Sequence, residues 1–111
     1  MEQPIRHLFK YKHYFDTFFS QQKPSVQHKI DYALQLIIYN ERVSEKFFKY
    51  IDDGLFEIRA EVGSDIFRIF CCLDAGRLVI LMNGFQKKTQ KTPKEEIKLA
   101  KKLMKEYLEN R

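Results

Sequence analysis

The chain has 111 residues, 44% of them apolar and 32% charged, the balance of a soluble globular protein, which excludes the disordered and fibrous classes. That length suits one domain spanning residues 1–111 and burying roughly two-thirds of its unfolded surface. No apolar run nears the roughly 18 residues of a membrane span, and MEQPIRHLFKYKHYF lacks a signal-peptide hydrophobic stretch, so a cytoplasmic location away from membranes is expected.

The net charge of +5 is unevenly spread: residues 1–85 carry eleven Lys/Arg and eleven Asp/Glu, residues 86–111 nine and four. A basic segment on a neutral body fits a polyanionic partner, an acidic protein groove, or a solvated helix face.

In chain order, IRHLFKY after Pro4 is a short candidate strand. Tyr14, Phe15, Phe18 and Phe19 then sit at helical spacing, which predicts a helix from His13 to Gln22. Pro24 opens a second helix running to about Asn40, with Val26, Ile30, Ala33, Leu34, Ile37 and Ile38 as its apolar stripe. The short Gln-Gln-Lys-Pro connection makes the two an αα-hairpin. Residues 41–54 are ambiguous, with Phe47, Phe48, Tyr50 and Ile51 needing cover and Asp52-Asp53-Gly54 signalling a turn.

Leu55 to Lys88 reads as three strands with turns at Val62-Gly63-Ser64-Asp65 and Asp74-Ala75-Gly76-Arg77. Two-residue loops set a register in which Arg59 faces Arg68 and Arg68 faces Asn83. These three then form one row, with Glu57 and Glu61 beside Arg59. The opposite face is apolar: Phe56, Ile58, Ala60, Phe67, Ile69, Cys71, Leu73, Leu78, Ile80 and Met82. The two N-terminal helices are expected to pack there. Cys71 and Cys72 are neighbours on a strand and point to opposite faces, as reduced core thiols. Finally, Thr92-Pro93-Lys94-Glu95 predicts a capped helix start. Its helix, to about Asn110, sets Ile97, Ala100, Leu103, Met104, Tyr107 and Leu108 against a stripe of Lys94, Lys98, Lys101 and Lys105. The expected class is α+β, in the order β-α-α-β-β-β-α with an antiparallel-rich sheet.

Directly opposed arginines repel. Arg59 and Arg68 therefore imply either a cross-strand network closed by Glu57 and Glu61, or a bound anion. Ile66, Phe70 and Cys72 share the face of Arg68, and a guanidinium on such a floor suits phosphate binding. His7, His13 and His28 lack ligand spacing, the glycines form no phosphate loop, and no Gly-x-Ser-x-Gly elbow occurs. No cofactor or metal is expected.

The segment GLFEIRAEVGSDIFRIFCCLDAGRLVILMNGFQKKTQKTPKEEIKLA resembles the signature of the phage-derived branch of the RelE/HigB-type toxins. The resemblance rests on the Gly-Leu-Phe-Glu-Ile-Arg strand, the Phe-Arg-Ile strand, the Gly-Phe-Gln-Lys-Lys-Thr-Gln-Lys-Thr-Pro run and the terminal helix. It implies a RelE-like fold and the toxin of a type II toxin–antitoxin pair, an mRNA endonuclease acting with the ribosome. Its implied partner is a HigA-like helix-turn-helix antitoxin, in a complex of higher order.

Carried over by position, the resemblance makes Arg59, Arg68 and Lys87 catalytic, with Glu57 a loosely held proton acceptor that an arginine two residues away weakens. Asn83, Lys88, Lys91, Lys94 and Lys98 are the RNA-binding candidates. The implied reaction is metal-free attack of the RNA 2′-hydroxyl on its own phosphate. RelE has a tyrosine near its C-terminus that serves the reaction. Nothing between Lys88 and Pro93 matches it, and Tyr107 lies on the apolar side of its helix. Two alternatives stand beside the nuclease: a ParE-like, gyrase-binding toxin, and an inactive phage-derived relative.

Overall fold

The structure, a computed structural model, describes residues 2–111. The order is β1 (His7–Lys10), α1 (Tyr14–Ser20), α2 (Pro24–Tyr39), β2 (Phe48–Asp52), β3 (Leu55–Val62), β4 (Asp65–Asp74), β5 (Leu78–Lys87) and α3 (Lys94–Asn110). The α+β class therefore holds, with one strand more than expected. The sheet runs β1-β5-β4-β3-β2, antiparallel except where β1 lies parallel to β5. The added strand β2 comes from the ambiguous aromatic stretch. It forms a hairpin with β3 through Asp53 and Gly54, both at positive φ, the geometry that Asp-Gly favours in two-residue hairpin loops.

Helices α1 and α2 cover one face of the sheet. Phe15, Phe18, Val26, Ile30, Ala33, Leu34 and Ile37 bury against Ile58, Ala60, Phe67, Ile69 and Cys71, as the alternation predicts. Arg6 ties α2 down by donating to the carbonyls of Ile37, Asn40 and Glu41 at 2.8, 2.8 and 3.0 Å, satisfying acceptors that a helix end leaves open.

The β3–β4 register is the predicted one: Val62 pairs with Asp65 and Arg59 with Arg68. Gly63 has φ of 60°, as the first central residue of a type II′ turn requires. The β4–β5 register differs. Asp74 pairs with Leu78 across a three-residue loop, with Ala75 and Gly76 at φ of 54° and 73°. One extra loop residue exchanges the faces of the strand that follows. Val79 and Leu81, rather than Leu78, Ile80 and Met82, therefore meet α1 and α2.

A second irregularity falls between Ile69 and Cys71, where β5 carries one residue more than β4. Met82 and Asn83 together oppose Phe70 at this bulge, so Arg68 pairs with Phe85 rather than with Asn83.

The second face is also covered. Helix α3 buries Ala100, Leu103 and Met104 against Leu55, Phe70, Cys72, Ile80, Met82 and Phe85. Leu108 stays exposed, and Lys101 turns from the basic stripe to pair with Asp52 and Asp53, each at 3.3 Å. Thr92 makes no side-chain cap, and the helix begins after Pro93 with Glu95 and Glu96 in its first turn, where carboxylates offset the N-terminal dipole.

Gly84 marks where α1 lies closest to β5, since an added Cβ would stand 2.5 Å from Cδ2 of Phe18. Gly84→Ala is expected to destabilise the protein by about 1–3 kcal/mol through overpacking. A urea transition with an unshifted midpoint would contradict this.

Candidate nucleic-acid interface

The uncovered part of the α3-side face lies at the open end of β3, β4 and β5. One open cross-strand row lies there, Glu61–Ile66–Lys87, and behind it a second, Arg59–Arg68–Phe85, in which Arg68 and Phe85 are already buried. In the second row two cations stand directly opposite one another. Glu57, one pleat further on the same face of β3, reconciles them. Its Oε1 accepts from Arg59 Nε at 2.8 Å and lies 3.4 Å from Arg68 Nε.

Glu57 and Arg68 are only 3% and 5% exposed. The longer contact is electrostatic and not a directed hydrogen bond, because Arg68 Nε has no hydrogen-bond partner. A terminal nitrogen of Arg68 donates to the Phe67 carbonyl at 3.1 Å. Burial lowers the affinity of the Arg68 guanidinium for its proton, Glu57 raises it and Arg59 lowers it. An arginine in this setting stays charged. Arg59 is less enclosed and donates a second bond to the Glu45 carbonyl at 3.2 Å.

The accessible cations lie one row outward. Lys87 and Lys88, with Ser64, Ile66, Thr89 and Gln90, line a hollow of about 430 Å³. Two ammonium groups above an apolar floor, with hydroxyl and amide donors at the rim, suit a phosphate or another anion. Lys91, Lys94 and Lys98 are exposed on the following loop and on α3, outside the lining of this hollow. Asn83 is drawn away altogether. Its Nδ2 donates to the Glu96 carbonyl and to Glu96 Oε1, both at 3.1 Å, and so holds the start of α3 against β5.

Residues 17–105, most of the chain, match the family described as Phage derived protein Gp49-like (DUF891). The chain belongs to the Gp49-like family. This family is phage-derived and RelE/HigB-like in its toxin character. No curated protein matches the sequence.

Within this Gp49-like chain the sequence-predicted site divides. Arg59, Arg68 and Glu57 do meet, as a cluster whose charges are spent largely on one another, while Lys87 and Lys88 form the open basin. Tyr107 is occupied elsewhere: its hydroxyl donates to Asp74 Oδ2 at 2.7 Å. The sequence reading passed over Lys29 and Lys46, which line a smaller hollow beside Arg59. Lys29 lies on α2 and Lys46 on the loop before β2, so no local spacing in the sequence links them.

The cysteines carry no nucleophile. Both are free and buried, and burial drives the Cys71 thiol well up and that of Cys72 to about 11. Iodoacetamide at pH 8 is expected to leave both unmodified in the native protein and to label both in urea, as mass spectrometry would register.

Glu57→Ala strands the buried Arg68 charge and is expected to cost about 3–5 kcal/mol, against about 1 kcal/mol or less for the more exposed Arg59→Ala. Replacing Glu57 and Arg68 together by leucine should recover most of the larger loss. Equal costs for the two single variants in urea titrations would refute this division of roles.

Proposed function

We propose that this chain is the toxin of a type II toxin–antitoxin pair, of the HigB-like branch, and that it cuts messenger RNA on the ribosome. The observation that carries the reading is the Lys87/Lys88 basin at the open end of the sheet, one row outward from the Arg59–Arg68 pair, in a member of a toxin-like phage family. Its partner in this reading is a HigA-like helix-turn-helix antitoxin, in a higher-order complex in the cytoplasm.

In the reaction the RNA 2′-hydroxyl attacks the adjacent phosphate, its proton passing to water. The bond to the 5′-oxygen of the next nucleotide breaks as water protonates that oxygen, leaving a 2′,3′-cyclic phosphate. Lys87, Lys88 and the free end of Arg59 donate to the phosphorane oxygens. Donors fixed before the charge develops lose nothing to reorganisation. The basin also holds the 2′-oxygen in line with the leaving oxygen.

Arg68 acts from beneath, as a fixed positive charge, and Glu57 becomes a positioning residue that aims Arg59 outward. Glu57 is only 3% exposed and its Oε1 already accepts from Arg59, so it has no access to a 2′-hydroxyl and is not the base. Lys91, Lys94 and Lys98 extend the basic surface for RNA or ribosome phosphates, and Asn83 acts indirectly by seating α3.

One observation favours a second reading. Glu57 neutralises much of the arginine pair, and a toxin that binds a protein target without nuclease chemistry needs no more than that.

Induced expression with mapping of mRNA 5′ ends, with and without translation, separates the two. Codon-positioned cuts that appear only during translation are expected. They should fall about 10²–10³-fold in Lys87→Ala and again when Lys88→Ala is added, while thermal melts match the parent. DNA damage without RNA cuts would select the second reading.

A further inference from the structure

The β3–β4 turn separates two hollows. Ser64 borders the Lys87/Lys88 basin, and its neighbour Gly63 borders a second hollow of about 180 Å³ whose other walls are Lys29, Lys46, Phe47, Arg59 and Glu61. Three cations and one carboxylate therefore face a space large enough for a phosphate. Neither Lys29 nor Lys46 forms an ion pair among the described residues.

Both lysines stand instead over aromatic rings: Lys29 Nζ is 5.8 Å from the Tyr32 centroid, and Lys46 Nζ is 5.7 Å from that of Phe47. The two rings meet edge to face at 5.7 Å, and Tyr32 is 49% exposed. Phe47 is shared with a third hollow of about 260 Å³, floored by Leu36 and Val43 and edged by Tyr32 and Arg42. Cations beside open aromatic faces match the alternation of phosphate and base in a single strand.

We propose that Lys29, Lys46, Arg59, Tyr32 and Phe47 form a second subsite for single-stranded RNA, across the turn from Lys87. The inference rests on the nuclease reading and extends it to nucleotides flanking the scissile phosphate. Arg59 lines this second hollow, and Gly63 and Ser64 of one turn border the two, so they are adjacent. Nothing lies within 4 Å of the position a Cβ would take at Gly63, and the strand crosses a bare turn. Lys29 and Lys46 take flanking phosphates, and a base stacks on Tyr32 over the Leu36/Val43 floor.

The test uses a fluorescein-labelled single-stranded RNA whose 2′-hydroxyls are methylated, so that it binds without being cut. Tyr32→Ala is expected to weaken binding about tenfold. Lys29→Ala with Lys46→Ala should flatten the slope of log affinity against log salt by about 1.4. Parent-like binding by both variants overturns the subsite while leaving the nuclease reading intact. A parent that binds no free RNA also overturns the subsite, and the mapped mRNA 5′ ends decide the ribosome-dependent nuclease reading separately. Unchanged RNA binding combined with lost capture of a co-expressed helix-turn-helix partner overturns the subsite in favour of a protein-docking surface.

Discussion

One carboxylate makes the open end of this sheet possible. The β3–β4 turn fixes Arg59 opposite Arg68, and at strand spacing two guanidiniums repel. Glu57 lies within reach of both and is itself buried. The arrangement is unequal. Arg68 is enclosed and held from two sides, while Arg59 keeps a free end toward solvent. The inner charges thus orient the outer one, and the uncompensated charge moves outward to Lys87 and Lys88. Buried ion pairs of this kind contribute little net stability, yet losing one member is costly.

That cluster was legible only in part. The Arg59–Arg68 pairing follows from the sequence because Gly63 announces a two-residue turn, and pairing beyond a tight turn is a matter of counting. The same counting fails at the next turn. Nothing local marks Ala75, an alanine in a left-handed conformation that glycine would take more readily, as part of a three-residue loop. The slip exchanged the faces of β5, and the bulge at Met82 and Asn83 then carried Asn83 to Glu96 instead of to the arginines. Strand β2 escaped for a different reason: its run of aromatic and charged residues, half-buried on both sides, lacks a clean alternation.

The burial of Arg68 was only half legible. Its strand neighbours Phe70 and Cys72 suggested an apolar floor, but that α3 roofs that floor depends on contacts between residues far apart in the chain. The helix itself was plain from its periodicity. The same distinction separates the lysines: those of the Lys-Lys-Thr-Gln-Lys-Thr-Pro run stand out as a charge excess, whereas Lys29 and Lys46 become neighbours of Arg59 only when α2 docks. Composition locates charge along the chain; packing decides which charges share a surface.

The parallel pairing of β1 with β5 also sets a sequence of events in time. His7 and Leu78 are partners about seventy residues apart in the chain. The hairpins from β2 to β5 join near neighbours and can assemble in turn as the chain emerges. At about 5–20 residues per second, the first strand then waits several seconds for the last. Lys87 and Lys88 close that last strand, so the basin is among the final features to take shape. A chain that stalls before Leu78 has neither its outer edge nor its Lys87/Lys88 basin.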